Sequence, residues 1–144
     1  MAVIEEKRVA QMGTFNGNPL TMAASKVTLL EILDAKAYAH FDALAETLQG
    51  GLDAVIAEHE LPVHVMTLAA RGGVTYREQR VRNYRDYLET DKSLAYLSWL
   101  YQCNRGVVMA PGAEENWTLS VQHSAEDVQH YVDNFAEMAK DLRS

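Results

Sequence analysis

The most informative stretch of this chain is Gly13-Thr14-Phe15-Asn16-Gly17-Asn18-Pro19-Leu20-Thr21-Met22-Ala23-Ala24. Asn16-Gly17 is a turn pair, and Asn18-Pro19 places a good N-cap before a proline at the first helical position. Gly13 leaves the backbone unhindered, and Thr14 adds a hydroxyl. A hydroxyl and amide donors beside a helix N-terminus suit a phosphate dianion. By residue type alone, an ordinary turn and cap is the competing interpretation.

The pattern after this turn predicts helices that alternate with short strands. The first helix, over 19–33, is apolar on most of its circumference, which is typical of a helix buried on more than one side. A second helix is predicted over 34–60, weakened at Gly50-Gly51, and two strands follow at 63–70 and 74–76, joined by a turn at Gly72-Gly73. The stretch 81–91 is predicted as a loose helix or loop, and a helix over 92–103 ends at Gly106. Two more strands are predicted at 107–109 and 117–121, and Ser124 with Asp127 caps a last helix.

Composition bounds the class of protein. With 144 residues, 48% of them hydrophobic and 23% charged, the chain is expected to fold around one core. The net charge of -7 disfavours nucleic-acid binding, and no apolar stretch reaches the ~20 residues that cross a bilayer. The single Cys103 fits a reducing compartment, so we expect a cytoplasmic protein without a membrane partner.

Two groups of polar residues invite a functional interpretation. Five arginines fall between Arg71 and Arg85, and a solvated face balanced by nearby acidic residues explains them best. The histidines lack metal-ligand spacing with Cys103 or with paired carboxylates, so no metal site is expected. His123 lies just before the last helix, where we expect a capping or packing role.

Three segments carry a family resemblance. The run 13–24 resembles the GTF-x-GNPL-x-MAA segment of class III, pyridoxal-phosphate-dependent aminotransferases, above all the glutamate-1-semialdehyde aminomutase branch. Residues 104–111 resemble the RGV-x-x-AP segment of that family, and residues 119–128 resemble its S-x-x-H-[ST]-x-x-D-[IV] run. Three motifs in the family's order and at workable spacing are much more specific than any one of them.

The resemblance implies a fold and a domain division. It implies an α/β (α+β) fold like the small C-terminal domain of fold type I enzymes, in which a short, mainly antiparallel sheet has helices packed on one side. Residues 35–144 would form this domain. Residues 1–34 would be the end of the large domain, with the phosphate-contact loop and a long interface helix.

The resemblance also implies site residues. Gly13 and Thr14 would bind the phosphate of the pyridoxal 5'-phosphate held by the neighbouring subunit. Glu115 falls on a glutamate that lines the substrate entrance in the aminomutase branch, although Glu114 is an equal match. The loop has no Arg for a substrate carboxylate, and a plain solvated acidic loop stays open as the alternative.

One family feature is missing. The family's Schiff-base lysine lies upstream of the GTF run, but here only twelve residues precede Gly13, and none of the five lysines lies in the expected Gly-rich loop. We therefore expect no catalytic residue in this chain, and we expect the chain alone to be inactive and without cofactor.

This absence predicts what the chain belongs to. It would be the C-terminal part of an enzyme that transfers an amino group on a small amino acid or keto acid, with a homodimer partner or a missing N-terminal large domain. The alternative is a non-catalytic interaction module that binds a partner through the helix over 19–33.

Overall fold

The computed structural model describes residues 5–6, 13–110 and 116–143, and the chain divides into two compact units, Met1–Ala35 and Lys36–Ser144. The elements in chain order are α1 (Pro19–Val27, followed by a π-helical turn at Thr28–Ile32), α2 (Ala35–His59), β1 (His64–Leu68), β2 (Arg71–Thr75), α3 (Tyr84–Leu88), α4 (Lys92–Cys103), β3 (Asn116–Thr118) and α5 (Ala125–Asp141).

The first unit contains α1, which begins where the sequence predicts. The side chain of Asn18 accepts hydrogen bonds from the amides of Leu20 and Thr21, and Pro19 occupies the first turn. No residue of α1 is buried within the chain. Its exposed apolar side chains, with those of the π turn, are Leu20, Met22, Val27, Leu29, Leu30 and Ile32.

In the second unit, α2 runs without interruption through Gly50-Gly51, so the predicted weak point is wrong. A Cβ on Gly51 would lie 2.9 Å from Cγ1 of Val132 on α5, whereas one on Gly50 would meet nothing within 4 Å. The lack of a side chain at residue 51 lets the two helices approach closely. Packing of this kind outweighs the low helix propensity of glycine.

The sheet has three antiparallel strands in the order β1-β2-β3. The hairpin turns at Ala69-Ala70, where Ala69 has a φ of 48°, and the predicted turn at Gly72-Gly73 is wrong. Gly72 instead lies inside β2, paired with Trp117 of β3. A Cβ on Gly72 would lie 2.5 Å from Cζ2 of Trp117, so the glycine makes room for the indole ring.

The predicted strand over 107–109 is also wrong. Gly106, with a φ of 88°, ends α4, and the Val107 amide then donates back to the Gln102 carbonyl. The carbonyl of Met109 accepts from the indole Nε1 of Trp99 at 3.2 Å. These backbone groups cap α4 and bind a side chain, so they do not join the ladder.

The last strand is shorter than the predicted 117–121. β3 ends at Thr118, and one further bond continues the pairing, from the Leu119 amide to the Ala70 carbonyl at 2.7 Å. The loosely assigned stretch 81–91 contains the short helix α3, which Asn83 caps.

The core of this unit lies between the helices and one face of the sheet. Leu52, Ala95 and Phe135, from α2, α4 and α5, are fully buried. A buried polar chain joins α4 to α5: Nε2 of Gln102 donates to the Tyr131 carbonyl, and Nδ2 of Asn134 donates to Oε1 of Gln102. The predicted α+β class, with helices and a small antiparallel sheet, is confirmed.

Candidate functional site

The loop before α1 is a compact pair of turns. The Asn16 amide donates to the Gly13 carbonyl at 3.0 Å, and the Asn18 amide donates to the Phe15 carbonyl at 3.1 Å. Gly17 has a φ of 76°, a left-handed conformation that side-chain-bearing residues rarely adopt. The pair Asn16-Gly17 therefore forms the turn that the sequence predicts.

Gly13 has a packing role in this loop. A Cβ on Gly13 would lie 2.9 Å from Oδ1 of Asn16, so the carboxamide of Asn16 lies directly against the Gly13 backbone. The structure gives Gly13 no positive φ. Close approach, rather than unusual backbone conformation, is why a glycine suits this position.

Thr14 is exposed at the outer side of the turn. Across residues 13–110 and 116–143, neither its hydroxyl nor the amides of Thr14 and Phe15 make a hydrogen bond. The first helical amides of α1 are already engaged by Asn18, so the available donors come from the turn itself.

The sequence around this turn contains few charged residues. Lys26 is the only charged residue between positions 13 and 30. The positive end of the α1 dipole lies at Pro19, a few residues after the turn. A hydroxyl, two amides and no nearby carboxylate in this sequence range form a set of donors that suits a phosphate group.

Glu115, the expected substrate-entrance residue, lies outside the described residues, as does Glu114. The residues on either side of this segment, Ala110 and Asn116, line a cavity of about 260 Å³. Trp117 forms part of its wall and meets the ring of Tyr131 edge-on, with 5.7 Å between the ring centroids.

A wider depression of about 500 Å³ lies on the face of the sheet that carries Met66 and Leu68. Leu68 is 82% exposed there, and Arg71 and Tyr87 complete the rim. This surface does not stand out among the sequence motifs, although β1 alternates between exposed Met66 and Leu68 and half-buried Thr67. That alternation was the available signal.

Acidic side chains balance part of the positive charge of the arginine-rich stretch 71–85. Arg77 pairs with Glu89 at 2.8 Å and approaches Asp86 at 3.8 Å. Both are among the nearby acidic residues that the sequence predicts to balance the charge of the arginines.

His123 and Asp127 organise the turn between β3 and α5. The Ser120 amide donates to Nδ1 of His123 at 2.9 Å, and Nε2 of His40, on α2, donates to the His123 carbonyl. Asp127 accepts from the amide and hydroxyl of Ser124, which completes the predicted capping box. These bonds, together with the nearby His123 and His130, lower the pKa of Asp127.

The part of the chain that the structure describes holds neither a metal-binding cluster nor a membrane-spanning helix. No group of three or more His, Cys, Asp or Glu residues there is arranged to hold a metal ion. None of the described helices has the length and apolar character that spanning a bilayer requires.

Comparison with known proteins gives the class of this fold. No protein-family model matches the chain. The chain is 32% identical over 127 residues to glutamate-1-semialdehyde 2,1-aminomutase 1 of Macrococcus caseolyticus, an alignment that covers 88% of this chain and 30% of that protein. It is 30% identical over 135 residues to glutamate-1-semialdehyde 2,1-aminomutase 2 of Halalkalibacterium halodurans, covering 94% of this chain and 31% of the relative.

Solved structures agree. A glutamate-1-semialdehyde aminomutase from Pseudomonas aeruginosa has a TM-score of 0.81 and 27% identity, over 92% of this chain and 31% of that one. An omega-transaminase from Sphaerobacter thermophilus has the same fold, with a TM-score of 0.75 and 24% identity over 95% of this chain and 31% of that one.

The chain is therefore aminotransferase-like, and its fold is that of fold type I enzymes. The relatives that resemble it in sequence are aminomutases. The chain spans about 30% of the length of these relatives.

Proposed function

We propose that this chain provides the phosphate contact and a subunit interface of a pyridoxal-phosphate-dependent aminotransferase or aminomutase. The complete enzyme would transfer an amino group on a small amino acid or keto acid. Residues 1–34 would be the end of its large domain, and residues 35–144 its small C-terminal domain. We place the enzyme in the cytoplasm, in keeping with the single Cys103.

The observation that carries this proposal is the state of Thr14. Its hydroxyl and amide are exposed and make no hydrogen bond among the described residues, and the two turns around them are fully formed. Exposed donors without a protein partner are free to exchange their water for a ligand. Donors presented in this way fit a phosphate that another chain holds.

Each residue of the turn has a separate role in this proposal. The Thr14 hydroxyl donates to a phosphate oxygen, and the amides of Thr14 and Phe15 are placed to donate beside it. Gly13 lets Asn16 pack against the backbone, which holds the turn in shape. When bound, pyridoxal phosphate supplies the electron sink for the chemistry at the substrate carbon.

The surface of α1 supports a contact between subunits. Leu20 of α1 and Leu30 of the π turn that follows it are 80% and 72% exposed, and neither segment has a buried residue within the chain. An apolar surface of this kind is stable when a second chain covers it. A second subunit, or a large domain from the same enzyme, would cover this apolar surface. The same contact would bring the cofactor phosphate to Thr14.

Glu115 would lie at the substrate mouth. It lies four positions after Pro111, the end of the segment that the resemblance aligns, and directly before β3. An acidic side chain there suits the amino group of a substrate. A substrate carboxylate would have to bind residues outside this loop, because the loop contains no Arg.

The chain alone would be inactive, because no lysine lies in the sequence context that holds the cofactor. The test is incubation of the chain with pyridoxal phosphate, borohydride reduction and mapping of any modified lysine, with an assay of amino transfer beside it. We expect scattered, substoichiometric modification and no turnover. A stoichiometric adduct on one of the five lysines would contradict the proposal.

A second candidate is a non-catalytic module that binds a partner through the helical segment 19–33, which comprises α1 and the π turn. The exposed apolar side chains of α1 favour it as much as they favour an enzyme interface. The two candidates differ at Thr14, because a binding module has no need of that hydroxyl. Loss of partner binding on changing Leu30, with no effect of Thr14→Val on any ligand, would favour the module.

A further inference from the structure

The turn between β3 and α5 is held by the imidazole of His123. The Ser120 amide donates to Nδ1 of this ring at 2.9 Å, and the ring nitrogen lies 3.0 Å from Oγ of Ser120. The His123 amide closes the same turn by donating to the Ser120 carbonyl at 3.1 Å. Both hydrogen bonds therefore join Ser120 to His123, one through the imidazole side chain and one through the main chain.

This geometry defines the protonation state of the ring. An amide N–H can donate only to an unprotonated nitrogen, so Nδ1 carries no proton and the proton of the neutral ring is on Nε2. A second proton on the ring must go to Nδ1. There it would oppose the Ser120 amide, and both groups would be donors.

The hydroxyl of Ser120 offers the protonated ring another partner. Oγ of Ser120 already accepts from the Gln122 amide at 3.3 Å, and it lies within reach of Nδ1. Protonation would therefore replace the bond from the Ser120 amide to Nδ1 with a bond from Nδ1 to the Ser120 hydroxyl. The amide of Ser120 would be released at the end of β3.

We propose that His123 is a protonation-sensitive latch, which holds the β3–α5 turn closed when the ring is neutral and releases the Ser120 amide when the ring is charged. This device is independent of the proposed function. It lies in the second unit, remote in sequence from Thr14.

The ionisable groups around this ring, within the residues that the structure describes, come from two helices. His40 of α2 donates to the His123 carbonyl, and Asp127 and His130 of α5 line the same depression as His123. The carboxylate of Asp127 attracts a charged imidazole, whereas His130 opposes it when protonated. Nε2 of His130 donates to the Arg105 carbonyl, so the turn does not depend on this second ring.

The test is nuclear magnetic resonance of the full chain during a pH titration. The ring nitrogens of His123 should show the Nε2–H tautomer at neutral pH. As the ring gains its proton, the Ser120 amide should shift with the same midpoint. Its exchange protection, corrected for intrinsic pH dependence, should fall roughly two- to tenfold, as expected for one lost hydrogen bond.

Two variants make the test specific. In His123→Asn, a carboxamide oxygen can accept from the Ser120 amide at every pH, so the amide should stay protected and lose its pH dependence. In His130→Gln, the titration of the Ser120 amide should persist. A neutral ring with its proton on Nδ1, or a Ser120 amide that ignores the His123 titration in the unmodified chain, would overturn the proposal whether or not the variants fold.

Discussion

Gly72 lies beneath the indole ring of Trp117, and a Cβ on Gly72 would come within 2.5 Å of Cζ2 of that ring and within 2.7 Å of the Met66 carbonyl oxygen. Gly72 belongs to the central strand of the sheet, and Trp117 is its partner in β3. The absence of a side chain at residue 72 therefore allows a large ring to close the core over the sheet.

Replacing Gly72 should be costly. We expect Gly72→Ala to lower the free energy of unfolding by about 1–3 kcal/mol, because the added methyl group forces the indole ring or the backbone to move. Urea denaturation of both chains at equal concentration measures this effect.

Gly50→Ala is the matched control, since a Cβ there meets nothing within 4 Å and the residue lies inside α2. It should raise the free energy of unfolding by about 0.5–1 kcal/mol. Equal stability of the Gly72→Ala chain and the unmodified chain would show that Trp117 does not need the space.

The capping box of α5 predicts a pH dependence of stability. Hydrogen bonds from the amide and hydroxyl of Ser124 lower the pKa of Asp127 in the folded chain. A lowered folded-state pKa means that the stabilisation is complete above the unfolded-state pKa, about 3.9 for aspartate. It is lost as the pH falls through the folded-state value. We expect the difference in Tm between the unmodified chain and Asp127→Asn to be larger at pH 5 than at pH 3, and to shrink as the pH falls below about 4.

Asp133 supplies the control for this measurement. Its side chain accepts one bond, from Nε2 of Gln129 on the same helix, and it caps no helix end. Asp133→Asn should leave the Tm nearly unchanged over the same pH range. A Tm difference for Asp127→Asn that does not vary with pH would refute the role of its charge.

The exposed surface of α1 predicts self-association. We expect dimers or higher oligomers of the chain at micromolar concentration, because apolar side chains on α1 and the π turn are exposed within one chain. Leu30→Glu should shift the distribution toward monomer in light scattering. Leu68→Glu alters a leucine on the sheet that is 82% exposed, against 72% for Leu30, and it should leave the assembly intact. A monodisperse monomer of the unmodified chain would count against this interface.

The helices were predictable where local chemistry marks their ends. Asn18, Asp91 and Ser124 cap α1, α4 and α5, and each accepts hydrogen bonds from amides in the first turn of its helix. The positions of the hairpin turn and the last strand were not predictable in this way. Gly72 resembles a turn residue in sequence, but contact with Trp117, which lies forty-five positions later in the chain, determines its place.

The same distinction between local and long-range contacts applies to the candidate site. The turn 13–18 could be predicted from residue types because its hydrogen bonds join neighbours in the chain. Residue types alone left its ligand open, because an ordinary turn and cap has the same local hydrogen bonds. The role of Gly51 was hidden because it depends on Val132 of a distant helix.

The hydroxyl of Thr14 is the group on which the proposed phosphate contact depends most directly. The decisive measurement is the dissociation constant of pyridoxal phosphate for the complete enzyme that contains this chain, compared with Thr14→Val and Thr14→Ser. Loss of one hydrogen bond to a charged group is worth about 1.5–3 kcal/mol, so Thr14→Val should weaken binding by roughly tenfold to a hundredfold. Thr14→Ser retains the hydroxyl and should stay close to the unmodified enzyme. An unchanged dissociation constant for Thr14→Val would show that Thr14 is only part of a turn and would contradict the central claim.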